Sequence, residues 1–219
     1  MRATAETLAH SAQARFVAWK LLLVVALAVA VSEASLLVNL DVAATKAIHG
    51  WTVGWLTEVV VGITDLASTG AVFGLTVLAV AVLAALRHWR GAIALALSVL
   101  ATQAVVAIVK ALVTRPRPEE ELALTDPSGY SFPSGHSASA VALYVTLALV
   151  AATLWRTRWR PVLYVAAGML AVAIGLSRIY LGAHYPTDVL AGWLTGGILV
   201  TASWALCSRL PAGRRATTA

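Results

Sequence analysis

The chain has 219 residues, 60% of them apolar and 12% charged, with a mean hydropathy of +0.83 and a formal net charge of +6. Those values exclude an ordinary soluble domain and a disordered chain, and they fit one domain built from bilayer-length apolar segments. The single cysteine, Cys207, excludes an intrachain disulfide and says little about redox compartment.

Six apolar stretches are expected to span a membrane, at roughly 17–38, 69–86, 91–113, 137–154, 161–176 and 187–207. Backbone polar groups must be satisfied inside hydrocarbon, so the spans are helices and the fold class is all-α, a six-helix membrane bundle. Ser32, Glu33 and Ser35 interrupt the first span, and its outer part is expected to be interfacial. A cleaved signal peptide over 21–31 is an alternative, but about 20 residues precede that stretch, long for an n-region. Between spans one and two, Ala44, Ala47, Ile48, Trp51 and Trp55 recur at helical spacing. They predict an interfacial helix with Lys46 and His49 on its wetter side, ending before Glu58. It would shape a lateral entrance for a lipid or simply cover the bundle. Residues 1–16 form an N-terminal segment, 17–207 the six-span domain and 208–219 a polar tail. Gly192, Gly196 and Gly197 permit close helix packing, within the chain or between subunits. The oligomeric state is left open.

Charge placement orients the bundle. Arg2, Arg15, Lys20, Arg87, Arg90, Arg156, Arg158, Arg160, Arg209, Arg214 and Arg215 all fall on one side of an even-numbered topology. That side, with both termini, is expected to be cytoplasmic in a multi-pass protein of the cell membrane. The other side holds Lys46, Lys110, Arg115, Arg117 and Arg178, with every acidic residue except Glu6. The basic excess therefore reads as a topology signal and excludes nucleic acid as the expected partner. Trp19, Trp89, Trp155 and Trp159 near one face, and Trp51 and Trp55 near the other, fit aromatic belts.

Three short patches carry the chemistry, and this topology puts all of them on the extracytoplasmic side. The first runs from Lys110 to Pro118, KALVTRPRP. Lys110 is a point charge on a flexible stem, and Arg117 a planar fork suited to phosphate oxygens. Pro116 and Pro118 stiffen the backbone around Arg117. Arg115 is expected to face solvent or lipid headgroups. Taken alone, the patch reads equally well as snorkelling cations. The second patch, Pro133 to His136, places Ser134, Gly135 and His136 at the start of the fourth span, where free amides favour an anion. Ser134 can donate to a phosphate or merely cap the helix. His136 can serve as a general acid. The third patch, SRIYLGAHYPTD from Ser177 to Asp188, supplies Arg178 as a further clamp. It also puts His184 and Asp188 on one helical face if 185–188 make a first turn. An aspartate on one imidazole nitrogen makes the other a better nucleophile, although such a pair can also be structural. Three patches on one face argue for one shared site.

The three patches resemble the signature motifs of the type 2 phosphatidic acid phosphatase superfamily. Lys110, six residues, then Arg117 and Pro118 match the first motif; Pro133 to His136 the second; Ser177, Arg178, His184 and Asp188 the third. The resemblance implies a membrane phosphatase acting on lipid phosphates or diphosphates at the outer face. His184 would be the nucleophile that forms a phosphohistidine, Asp188 its orienting partner and His136 the proton donor. Lys110, Arg117, Arg178, Ser134 and Gly135 would hold the phosphate. No metal-ligand cluster stands out, so no cofactor and metal-independent turnover are expected. Undecaprenyl diphosphate is the first substrate expectation, followed by phosphatidylglycerol phosphate, phosphatidate and lysophosphatidate. The acidic run Glu119 to Glu121 with Asp126 reads chiefly as loop solvation. A lipid phosphotransferase or a non-catalytic lipid-phosphate binding or transport protein would use many of the same residues.

Overall fold

A computed structural model describes residues 2–155 and 158–210; for 2–14 and 16 it describes the backbone alone. The expectations for Arg156, Arg214, Arg215 and most of the polar tail lie outside the described residues, as do those for the side chains of Arg2 and Glu6.

All regular structure among the described residues is helical. In chain order the helices are α1 (Arg2–Glu33), α2 (Ser35–His49), α3 (Gly54–Asp65), α4 (Thr69–Ala85) and α5 (Trp89–Val113). They continue with α6 (Gly135–Leu154), α7 (Arg160–Tyr180) and α8 (Pro186–Ser208). Helices α5 to α8 are each long and apolar enough to cross a membrane; α5, with 25 residues, reaches about 37 Å at 1.5 Å per residue. The other candidates are two bent pairs. Val17–Glu33 and Ser35–His49 meet at 90°, and Gly54–Asp65 and Thr69–Ala85 at 43°, which makes six spans if each pair counts as one.

The N-terminal half departs from the sequence expectation. The first apolar helix ends at Glu33, not near 38, because Ala34 is extended (φ −93°, ψ 97°) within the polar interruption Ser32–Glu33–Ser35. The single helix expected through Trp55 is two helices separated by residues 50–53. Gly54 opens α3 instead of closing α2, so Glu58 lies inside a helix. The Tyr180 hydroxyl holds that junction by accepting from the Val53 amide at 3.0 Å. Trp51 and Trp55 are exposed, as are Trp19, Trp89, Trp155 and Trp159.

The outer surface is apolar: Leu22, Leu78, Leu112, Val165 and Met169 are all exposed. An apolar surface of this extent suits lipid contact. Inside, Leu95, Val99, Leu143 and Ile174 form a tight centre with Val72. Small residues bring α6 and α8 together. A Cβ on Gly192 would lie 2.6 Å from the Ser134 carbonyl oxygen, and one on Gly196 equally close to the carbonyl oxygen of Ala138. Both glycines therefore serve packing within the chain. A π-helical stretch over Val141–Val145 widens α6 beside Gly196.

Candidate active site

Three chain reversals at one end of the bundle bring the patches together. Helix α5 closes at Thr114, whose left-handed backbone (φ 48°) turns the chain away just after Lys110. The loop that follows is pinned at its base by the Ser131 amide, which donates to the Arg115 carbonyl at 2.9 Å. Arg117 staples the loop's far side. Its Nε donates to Gly129 O at 2.8 Å, Nη2 to Ser128 O at 2.6 Å and Nη1 to Ala183 O at 2.6 Å. Helix α6 then starts at Gly135, and the Ser134 amide donates to the Asp188 carbonyl at 2.9 Å. That bond joins the second patch to the third.

The third patch turns at Gly182, whose positive φ (64°) lies where a side chain would run into the backbone of Leu122. The Leu124 amide donates to Leu181 O at 3.0 Å and fastens the first-patch loop to the same turn. Pro186 begins α8, and the Asp188 carboxylate reaches back to accept from the Tyr185 amide at 2.9 Å, a capping box. This is the first-turn geometry the His184–Asp188 spacing predicts.

One cavity of about 340 Å³ is lined by Lys110, Arg117, Gly135, His136, Arg178 and His184, together with Thr64, Asp65 and Asp126. Six of the eight sequence-predicted site residues thus face the same space. The other two lie behind its wall. Ser134 is fully buried, and its hydroxyl accepts from the Ser137 hydroxyl at 2.9 Å and the Ser137 amide at 3.4 Å, which caps α6. Asp188, also fully buried, stands behind His184.

His184 is 2% exposed and has two distinct sides. Nδ1 lies 3.4 Å from the Ser131 hydroxyl and 3.5 Å from Asp188 Oδ2. The Ser131 hydroxyl also donates to Asp188 Oδ2, so it bridges a pair that is loose on its own. On the other side, Nε2 lies 3.4 Å from Arg117 Nη1. Burial pulls the His184 pKa down to about 4, against the opposing hydrogen bond and charge of Asp188, and the cations Arg117 and Lys110 add to the fall. The imidazole is therefore neutral at neutral pH, the form a nucleophile requires. Burial also lowers the Arg117 pKa, while Asp188 acts in the opposite direction.

The cations around the cavity are held in place. Lys110 Nζ donates to Tyr130 O and, at 3.4 Å, to Ser131 O. Arg178 is 6% exposed; its Nη1 donates to Thr64 Oγ1 at 3.1 Å, while its Nε is buried with no partner. A buried guanidinium with an unused donor at the wall of a cavity is suited to an anion. Among the described residues no group of three or more His, Cys, Asp and Glu stands together as a metal site.

Arg115 corrects the sequence expectation. It faces neither solvent nor headgroups but is 5% exposed and lies between two carboxylates. Its Nη1 donates to Asp188 Oδ1 at 2.6 Å and to Thr187 Oγ1 at 2.8 Å, and its Nη2 donates to Asp41 Oδ2 at 2.7 Å. The guanidinium also stacks 4.3 Å from the centre of the Tyr185 ring. The expected loop solvation by Glu119 also has a second part: Glu119 pairs with Lys46 of α2 at 2.9 Å, both half-exposed. Sequence reasoning missed Asp41, Asp65 and Ser131. An acidic residue within an apolar helical run was the available signal for Asp41. Ser131 carried none.

Known proteins resemble this chain in sequence and in overall fold. The model of the PAP2 superfamily matches residues 91–211, just over half of the chain. Phosphatidylglycerophosphatase B of Bacillus subtilis (strain 168) is 37% identical over 149 residues, which is 66% of this chain and 72% of that protein. Undecaprenyl-diphosphatase of Sulfolobus acidocaldarius is 41% identical over 70 residues, covering 32% of this chain and 30% of that protein. The crystal structure of a transmembrane PAP2 type phosphatidylglycerolphosphate phosphatase from Bacillus subtilis superposes with a TM-score of 0.84 at 29% identity, covering 90% of this chain and 98% of that one.

Proposed function

The chain belongs to the PAP2 superfamily, and on that premise we propose that it hydrolyses a lipid phosphate through a covalent phosphohistidine on His184. The observation that carries this reading is the single cavity with His184 and His136 at its wall and Lys110, Arg117 and Arg178 around them. A non-catalytic binding protein would need the cations but not a buried neutral histidine backed by a hydroxyl and a carboxylate.

In this mechanism His184 Nε2 attacks phosphorus while Nδ1 is held on the Ser131–Asp188 side. The phosphorus–oxygen bond to the lipid breaks, and His136 gives its proton to the departing oxygen. Water then attacks phosphorus, His136 takes up a proton from it, and the phosphorus–nitrogen bond breaks to release inorganic phosphate. The cationic side chains and the first-turn amides of Gly135 and His136 hold the phosphoryl oxygens as charge redistributes. We assign Ser134 to the capping of that turn. Three fixed cations can carry the charge a metal would otherwise balance, so turnover is expected to persist in a chelator.

Phosphatidylglycerol phosphate becomes the first substrate to test, because the relative named for it covers 66% of this chain. Undecaprenyl diphosphate is the second reading, favoured by the Sulfolobus relative over a shorter stretch. The site is assigned to the extracytoplasmic face from charge placement, with both termini opposite.

The test is phosphate release by detergent-purified protein in EDTA from these two lipids and phosphatidate, with His184→Ala alongside. Release that requires His184 is expected. Normal release by His184→Ala would overturn the assignment, and a phosphorylated acceptor in place of free phosphate would indicate a phosphotransferase.

A further inference from the structure

Helix α2 contributes nothing to the cavity wall, yet one of its side chains is built into the apparatus behind the proposed nucleophile. Asp41 is 2% exposed. It accepts from Arg115 Nη2 at 2.7 Å, from the Thr187 amide at 3.2 Å and from the Thr187 hydroxyl. Arg115 in turn holds Asp188, and Asp188 with Ser131 faces His184 Nδ1.

We propose that Asp41 is a positioning residue for the reaction, acting through Arg115 to set the place and the effective charge of the Asp188 carboxylate behind His184. The proposal rests on the His184 mechanism above.

Charge is the core of the argument. Arg115 is one cation between two buried carboxylates, so the trio carries one net negative charge. On its other flank His184 meets Arg117, Lys110, Arg178 and His136, with Asp65 and Asp126 also on the cavity wall. When His184 forms its bond to phosphorus it gains positive charge, and the net negative trio is what offsets it on the buried side. Without Asp41 the guanidinium would be left with Asp188 as its one carboxylate, and that pair would be neutral overall. Arg115 Nη2 would also lose its acceptor and become free to draw Asp188 further from His184, where the contact is already 3.5 Å. A buried charge that loses one partner makes a strong demand on the other.

Asp41→Asn is the suitable variant because it keeps an oxygen for the Thr187 amide and removes the charge. In full-length protein turning over phosphatidylglycerol phosphate, kcat is expected to fall about tenfold with KM little changed, as for a misplaced catalytic group. The acid limb of the kcat/KM profile should move to lower pH, since the imidazolium loses a nearby negative charge. The same substitution in an Arg115→Gln background should bring no further fall in kcat, because the connecting group is gone and the two buried carboxylates no longer share a cation. Wild-type behaviour of Asp41→Asn, an equal effect in both backgrounds, or lost activity with an unmoved acid limb would each overturn the proposal. If Asp41→Asn alone does not fold, Asp41→Asn/Arg115→Gln is compared with Arg115→Gln: a kcat no lower in the double variant is expected, and a further fall would overturn the proposal. Failure of both to fold would make Asp41 structural and end the proposal. His184→Ala runs in parallel: turnover by that variant would remove the mechanism itself, whereas its inactivity beside an unaffected Asp41→Asn would reject this inference alone.

Discussion

Gly192 tests how closely the second and third patches must be held. A Cβ there would lie 2.6 Å from the Ser134 carbonyl oxygen and 2.9 Å from Ser137 Cβ, distances real side-chain carbons do not adopt. Relief requires the first contact to open to at least 3.0 Å, a separation of about 0.4 Å. Neither backbone can rotate away. The Ser134 carbonyl accepts from the Ala138 amide at 3.1 Å, and the Ser134 amide donates to Asp188 O at 2.9 Å. In Gly192→Ala the shift therefore passes to Gly135 and His136 on one side and to Asp188 and His184 on the other. A misplacement of 1 Å costs on the order of 10²-fold in rate, so about 0.4 Å should lower kcat roughly five- to tenfold. Overpacking costs about 1–3 kcal/mol, offset by about 1 kcal/mol of helix propensity, which leaves a net loss of up to about 2 kcal/mol. Gly168 provides the contrast: nothing lies within 4 Å of a Cβ there, so Gly168→Ala should keep kcat and gain slightly in thermal stability. Steady-state phosphate release and thermal unfolding in detergent measure both. Wild-type kcat in Gly192→Ala, at an unchanged Tm, would refute the claim that this contact sets the site's geometry.

Other outcomes follow from the same contacts. Ser131→Ala removes the hydroxyl between His184 and Asp188; a hydrogen bond to a charged group is worth about 1.5–3 kcal/mol, so kcat should fall roughly 10- to 100-fold. His184 is held at about 4 by burial, below its ordinary value of 6.5, so between those pH values the unfolded chain binds a proton that the folded one does not. Its contribution to stability should be complete above pH 6.5 and be lost as pH falls toward 4; unfolding scans of wild type and His184→Asn should differ in slope in that window. Thr64→Val removes the acceptor of Arg178 Nη1 and should raise KM more than it lowers kcat, as read from substrate saturation curves. Dialysis against EDTA should leave phosphate release unchanged; loss restored by a divalent ion would contradict the assignment of the charge balance to Lys110, Arg117 and Arg178.

Much of the site was readable because its chemistry lies in short segments at helix ends. Lys110, Gly135, His136, Arg178 and His184 sit at the last or first turn of a long apolar helix or just beyond one, so counting spans was enough to place them on one side. Pro186 and the four-residue step from His184 to Asp188 predicted the first turn of α8, and the capping box at Tyr185 realises it. Where reading failed, long-range contacts were responsible. Ser131 acts through its place at the base of a folded loop, and a loop's path is not encoded in periodicity. Over residues 17–55 the sequence reads as one span and one interfacial helix; Ser32, Glu33 and Ser35 mark the interruption, but polar residues do not disclose that the chain turns by 90° at Ala34.

Arg115 shows why that break matters. From sequence, a cation two residues before Arg117 and beyond the end of α5 has every reason to be solvated, since a buried guanidinium without partners is costly. The acid that makes burial tolerable is 74 residues away, on the arm that the bend at Ala34 redirects toward the site. A straight first helix of 17–38 would leave no account of where Asp41 goes. An acid in an apolar helical run calls for a cationic partner. On this side of the bundle Lys46 pairs with Glu119, while Lys110, Arg117 and Arg178 line the cavity. Arg115 is the cation that remains, and its pairing with Asp41 couples the fold of the N-terminal arm to the carboxylate behind His184.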